Sequence, residues 1–305
     1  MSVFDLYRGD GSTLASRNTQ LPPYARITRL DAPEGYVASP ALRDAVNVSL
    51  ALGQPLLLTG EPGTGKTRLA WSIAHELGLG EPLVFYTKTT SAARDLFYRY
   101  DSLAHFQNAQ MGAQGQADVR RYISYEALGR AIIDSPQRRS IVLIDEVDKA
   151  PRDLPNDILN ELESMAFTVR ETGETFRADP ANRPVLILTS NSEKNMPDAF
   201  LRRVVYYHIP FPDEATLTAI VQKRLSLSEA FRTRMLQDAI RHFMDLRQNK
   251  GLRKPPATAE LLAWIHILDR EQIDVHADVP AQVARLATSY SILAKTKEDL
   301  DKLIA

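Results

Sequence analysis

The chain has 305 residues, 44% hydrophobic and 25% charged, a length that suits one large domain or two ordinary ones. Its 37 Lys and Arg face 38 Asp and Glu, a formal charge of −1, which argues against a bulk nucleic-acid partner while leaving room for a local basic patch. There is no cysteine, so disulfide scaffolds, thiolate metal sites and Cys nucleophiles are excluded. No apolar run approaches the roughly 18 residues that a bilayer span needs, and the N-terminus lacks a signal pattern, so a soluble cytoplasmic chain without membrane contact is expected.

Residues 1–35 carry Gly9, Gly11, Pro22, Pro23 and Pro33 without a sustained period and read as an extension or strand-like arm. From Pro40 the spacing of Leu42, Ala45, Val46 and Leu50 predicts a helix that Gly53 closes. The short run Leu56-Leu57-Leu58-Thr59 predicts a buried strand. A helix from Thr67 then ends at Gly78, followed by strands at Leu83-Val84-Phe85-Tyr86, Ile141-Val142-Leu143-Ile144, Val185-Leu186-Ile187-Leu188 and Val204-Val205-Tyr206-Tyr207. Strands alternating with helices imply crossover connections and a mostly parallel sheet covered on both faces. After Pro210 and Pro212 only amphipathic helical patterns follow, so the expected domains are an extension at 1–35, an α/β domain at 36–210 and an all-helical domain at 211–305.

Gly60, Glu61, Pro62, Gly63, Thr64, Gly65, Lys66 and Thr67 spell a glycine-rich phosphate loop between a strand and a helix. Glycine tolerates the positive φ angles that turn successive N–H groups toward one anion, and the following helix aims its N-terminus at the same phosphates. Lys66 is expected to hold the β and γ phosphates of ATP, and Thr67 to offer its hydroxyl to Mg²⁺. Asp145 and Glu146 close the third strand, where open α/β sheets bind ligands. Asp145 suits Mg²⁺, and Glu146 suits the general base for water, which favours ATP hydrolysis over transfer to another acceptor.

Thr189-Ser190-Asn191 ends the fourth strand. An amide there can orient water or report the γ-phosphate; a turn or helix-cap asparagine is the plainer alternative. Arg202 and Arg203 precede the fifth strand and, alone, describe a solvated pair. The ordered set of phosphate loop, Asp145-Glu146, Asn191 and Arg202-Arg203, followed by a helical domain, resembles the AAA+ ATPases and within them the MoxR family. The resemblance covers roughly residues 36–300 and implies an α/β P-loop NTPase fold: a three-layer αβα core on a five-stranded sheet with an all-α lid.

It further implies a ring homo-oligomer, commonly a hexamer, in which an arginine of one subunit reaches the γ-phosphate of its neighbour's ATP. By position Arg203 fills that slot, with Arg202 the alternative. The alternation on both sides of Thr172-Gly173 reads as a β-hairpin and resembles the one placed ahead of the fourth strand in this branch. Residues 89–125 occupy the place of an insert in the second helix, and ordinary surface decoration accounts for both features equally. The family's second-sensor arginine has no counterpart at its slot, where Glu260 stands: either Arg253 or Lys254 substitutes from the preceding loop, or the contact is absent, or the stretch is simply a basic loop before a helix. Tyr36 and Val37 stand where relatives line the adenine pocket, and plain packing explains them as well.

None of the six histidines shares metal-ligand spacing with carboxylates, and Trp71 and Trp264 sit on apolar helical stretches as core residues. The function implied is ATP hydrolysis coupled to remodelling of a protein client, in relatives often with a von Willebrand factor A-type partner. Two other readings stay open. One is a defence or restriction NTPase on nucleic acid, using ATP or GTP, supported only by Arg247, Lys250, Arg253 and Lys254; the other is a nucleotide-gated assembly module.

Overall fold

The computed structural model describes residues 3–7, 9–11, 21, 32–110, 118–151, 153–192 and 196–305. They divide into two compact units, one of residues 38–211 and one of residues 212–305 with the described residues before 38. Most of the expected N-terminal arm, Pro22 and Pro23 included, lies outside the described residues; short 3-10 turns occupy Val3–Asp5 and Pro33–Gly35.

In the first unit α1 (Pro40–Leu52) begins with a proline, which lacks only an N–H that the first turn leaves unpaired anyway, and stops at the left-handed Gly53. Then follow β1 (Leu56–Thr59), α2 (Lys66–Leu77), β2 (Leu83–Tyr86), β3 (Tyr98–Tyr100), α3 (Ser102–Gln110), β4 (Ile123–Tyr125) and α4 (Ala127–Asp134). The unit continues through β5 (Ile141–Asp145), α5 (Leu154–Asp157), α6 (Leu159–Ser164), β6 (Ala166–Thr168), β7 (Thr175–Arg177), β8 (Val185–Thr189), α7 (Asp198–Leu201) and β9 (Val205–His208). Five of the strands form a parallel sheet in the order β2-β5-β8-β1-β9. Leu56, Leu57 and Leu58 of β1 and Ile141 to Ile144 of β5 are buried along their whole length, as a sheet covered on both faces requires. The last strand starts one residue later than the apolar run suggested, where Val205 N–H bonds the Pro55 carbonyl at 2.8 Å.

The stretch between β2 and α4 folds around the antiparallel pair β3–β4, and β6–β7 is a second antiparallel hairpin. Aromatic side chains knit the two together. Phe97 stacks on Phe167 at 5.1 Å, Phe167 on Phe176 at 5.3 Å, and Tyr125 meets Phe176 edge-on at 5.6 Å. Gly129 of α4 makes this possible: a Cβ there would lie 2.0 Å from the Phe97 carbonyl oxygen. Residues 111–117 of the expected insert lie outside the described residues.

The second unit contains α8 (Glu214–Arg224), α9 (Glu229–Arg234), α10 (Leu236–Asn249), α11 (Thr258–Glu271), α12 (Pro280–Ser289) and α13 (Lys297–Ile304), with no strand among its described residues. Phe231, Phe243, Trp264, Ile265 and Leu268 fill its core. His242, Trp264 and Tyr290 form a ring cluster in which His242 Nε2 and the Tyr290 hydroxyl lie 2.7 Å apart. Of the described residues before 38, Ala32 and Val3 are tied in by polar contacts: buried Arg224 donates to the Ala32 carbonyl at 2.6 Å, and Val3 N–H to Glu271 at 2.8 Å. No helix among the described residues is long and apolar enough to cross a membrane.

Candidate functional site

Five chain segments meet at the C-terminal end of the central sheet: the turn after β1, the start of α2, the end of β5, the 3-10 turn Val147–Lys149 and the end of β8. The turn after β1 holds three glycines at positive φ, Gly60, Gly63 and Gly65. Gly60 sits at φ 144, and a Cβ there would stand 2.5 Å from the Ile209 carbonyl oxygen. Gly65 caps α2 at φ 91, left-handed and so without strain only for glycine.

Lys66 is buried, and its Nζ donates to the carbonyls of Gly60 at 2.7 Å and Glu61 at 2.9 Å and to Asn191 Oδ1 at 3.1 Å. Burial pushes the Lys66 ammonium below its ordinary value, while Asp148, Asp145, Glu146 and Glu61 pull it back up. One step along α2, Thr67 Oγ1 donates to Asp145 Oδ1 at 2.9 Å. The same carboxylate oxygen accepts the Thr189 hydroxyl at 2.6 Å, and Thr189 Oγ1 in turn accepts the Glu146 N–H at 2.9 Å. Thr189 therefore ties both acidic residues to β8. Glu146 itself is left-handed, with φ 56 and ψ 51, and its carboxylate is paired with Lys149.

Asn191 is held from both sides: its amide oxygen faces Lys66, and its N–H donates to Asp148 Oδ1 at 3.3 Å. Thr64 folds back on the loop, its hydroxyl donating to the Glu61 carbonyl at 2.9 Å. Thus Gly60, Glu61, Lys66, Thr67, Asp145, Glu146 and Asn191 share one site, with Pro62, Gly63 and Thr64 completing the loop. The two arginines are not part of this cluster of hydrogen bonds. Arg203 pairs with Glu163 and donates to the Ala199 carbonyl at 3.0 Å, whereas the Arg202 side chain is exposed with no polar partner among the described residues.

In the helical unit, the backbone N–H groups of Arg253 and Lys254 donate to buried Asp299 at 2.7 and 3.2 Å, leaving both side chains exposed. Glu260 has a local task, accepting the Ala257 N–H at 3.0 Å and pairing with Lys295 at 3.2 Å. Trp264 is fully buried as expected, but Trp71 is only half-buried, with the Arg68 guanidinium over its ring at 5.8 Å.

The donor set suits a magnesium triphosphate. A loop with Gly60, Gly63 and Gly65 at positive φ, beside a buried lysine, fits phosphate oxygens. Among the described residues no cluster of three or more His, Cys, Asp or Glu can hold a metal alone. Mg²⁺ does not ask for one, because it keeps waters and takes one or two protein oxygens with phosphate, as Thr67 and Asp145 offer. The sequence flagged these residues by motif; Asp148, Lys149 and the bridging role of Thr189 escaped it, although Lys149 stands at a helical spacing from Glu146 that invites pairing.

Residues 55–204 match the AAA domain of the dynein-related subfamily, and the five-stranded parallel sheet with its flanking helices and phosphate loop fits a P-loop AAA+ α/β core, followed by a helical C-terminal region. The chain is 23% identical over 293 residues to the gas vesicle ATPase GvpN of Ancylobacter aquaticus, covering 92% of this chain and 79% of that protein. It is 25% identical over 212 residues to the Drosophila melanogaster chromosome transmission fidelity protein 18 homolog, covering 67% of this chain. A segment of 86 residues is 37% identical to RuvB-like helicase 1 of Mycosarcoma maydis. The matched region spans 18% of the length of each of the last two proteins.

Proposed function

We propose that the chain hydrolyses ATP as a ring-forming AAA+ ATPase of MoxR type and spends the cycle on remodelling a protein client. One observation carries the hydrolytic reading: Asp145 Oδ1 gathers the Thr67 and Thr189 hydroxyls while Glu146, the next residue, is pinned through its N–H to the same threonine. Support also comes from the AAA domain match and from a relative named as an ATPase that aligns with 92% of the chain.

In this reading the loop N–H groups from Gly60 to Lys66 cradle the phosphates, and the Lys66 ammonium exchanges its carbonyl partners for β and γ oxygens. Thr67 and Asp145 hold Mg²⁺, which when bound offsets charge on the phosphate oxygens. Asn191 orients the water and the terminal phosphate, and Glu146 takes the proton as water attacks. Arg203 of one subunit, or Arg202, stabilises the charge building on a neighbour's γ-phosphate, an effect worth about 10³–10⁵ in rate in comparable enzymes. Arg203 must first leave Glu163, whereas the Arg202 side chain has no polar partner among the described residues. Arg253, or Lys254, stands in for the second-sensor cation by resemblance alone. The client, and any von Willebrand factor A-type partner, rest on the resemblance alone.

The test is a pair of variants. Glu146→Gln should keep nucleotide affinity while turnover falls at least about 100-fold. Lys66→Ala should lose nucleotide binding in equilibrium titration. Normal hydrolysis by Glu146→Gln would remove Glu146 from its role as base, and absence of magnesium-dependent phosphate release by the wild-type chain would remove the hydrolytic reading.

A further inference from the structure

A general base is effective only if a carboxylate lone pair is open to the proton it takes. Glu146 falls short of that here, because its carboxylate is engaged by the Lys149 ammonium, and it makes no other side-chain hydrogen bond among the described residues. We infer that Lys149 is a positioning residue that competes with the attacking water for the Glu146 carboxylate and so sets the turnover rate.

The pairing is built into the backbone rather than being a chance surface contact. Lys149 N–H donates to the Glu146 carbonyl at 2.9 Å, closing a 3-10 turn that brings the two side chains to one face. That turn cannot drift. Val147 is anchored in the core, and Asp148 accepts the Asn191 N–H at 3.3 Å from the sheet side. Glu146 is equally fixed in its main chain, at φ 56 with its N–H on Thr189. Both backbones being held, the remaining freedom lies in the two side chains, which are 40% exposed for Glu146 and 52% for Lys149. Between them they have two choices: each other, or solvent and substrate.

Exposed ion pairs are weak, so this one opens readily and tunes the reaction instead of blocking it. Replacing the ammonium with an apolar chain removes the competitor without touching the phosphate loop. Lys149→Met should therefore raise kcat for ATP about two- to fivefold, at most about 1 kcal/mol at about 1.36 kcal/mol per tenfold. The KM for ATP should stay within about twofold, because no phosphate contact has changed. The gain should shrink as ionic strength rises from about 0.05 M to about 0.5 M, since salt opens the wild-type pair and leaves the variant alone. Lys149→Arg keeps a cation in reach and should bring turnover back toward wild type.

The inference rests on Glu146 being the base, and the full-length chain tests the two separately. If Glu146→Gln and the Glu146→Gln, Lys149→Met double variant are both inactive while Lys149→Met is faster, the competition is supported. If Glu146→Gln is inactive and Lys149→Met, or Lys149→Gln as a second folded variant, has unchanged or lower kcat, Lys149 is not a competitor and the base keeps its role. If Glu146→Gln turns over normally, Glu146 is not the base and this inference falls with it, while hydrolysis itself stands.

Discussion

Thr189→Val is the sharpest test of how the acidic residues are held. The change keeps shape and volume and removes one hydroxyl, buried to 1% exposure, that makes two hydrogen bonds. The first runs at 2.6 Å to a carboxylate oxygen of Asp145, and bonds to charged groups contribute about 1.5–3 kcal/mol net. The second satisfies the Glu146 N–H at 2.9 Å, a neutral bond of about 0.5–1.5 kcal/mol. Asp145 Oδ1 keeps the Thr67 hydroxyl at 2.9 Å, which softens the loss. The expected cost is about 2–4 kcal/mol, against about 1 kcal/mol for Thr189→Ser, which gives up only a methyl group. Function should suffer through geometry: with Glu146 untied from β8, kcat should fall more than about tenfold while ATP affinity changes little. Hydrogen exchange of the β5 and β8 amides across a urea series reads the stability, and steady-state hydrolysis reads the rate. A Thr189→Val protein within about 0.5 kcal/mol of wild type and equally active would show that the bridge has no energetic weight.

Gly129→Ala sets two effects against each other. Alanine raises helix propensity by about 1 kcal/mol, but its Cβ would meet the Phe97 carbonyl at 2.0 Å, and a backbone atom cannot swing aside as a side chain can. Overpacking should win, with a net loss of about 1–2 kcal/mol and faster proteolysis between β3 and β4; an unchanged or higher Tm would refute this packing. In the helical unit, burial holds His242 below the ordinary histidine value, outweighing Asp245, which raises it, while His276 and Lys250 add to the lowering. A folded-state value below the unfolded one means that the unfolded chain binds the extra proton, so stability should decline as pH drops through about 6.5. Comparing urea midpoints of wild type and His242→Gln from about pH 7.5 to about pH 5 checks it; equal slopes would remove His242 from the acid response.

The parts of this molecule visible in the sequence are those whose cause lies within a few residues. Leu56 to Leu58 and Ile141 to Ile144 read as strands because a sheet buried on both faces asks for unbroken apolar runs. The phosphate loop is legible for the same reason: its glycines answer to local backbone angles. What escaped depends on register and on distant packing. Thr189 was seen as a strand end, yet its bridging role follows from Ile144 pairing with Leu188, which sets Asp145 and Thr189 side by side. Arg203 looked solvated because Glu163 is 40 residues away in the chain. Trp71 reads as core from hydrophobicity, whereas Arg68, one helical turn earlier, lays its guanidinium over the ring. The residues before 38 give no period at all, and Ala32 is placed beside α8 by Arg224, 192 positions along the chain, which holds its carbonyl. Lys149 is the instructive exception. Its partner is three residues away and was in plain view, but a motif reading assigns Glu146 a task and stops there, without asking what else that carboxylate can bind.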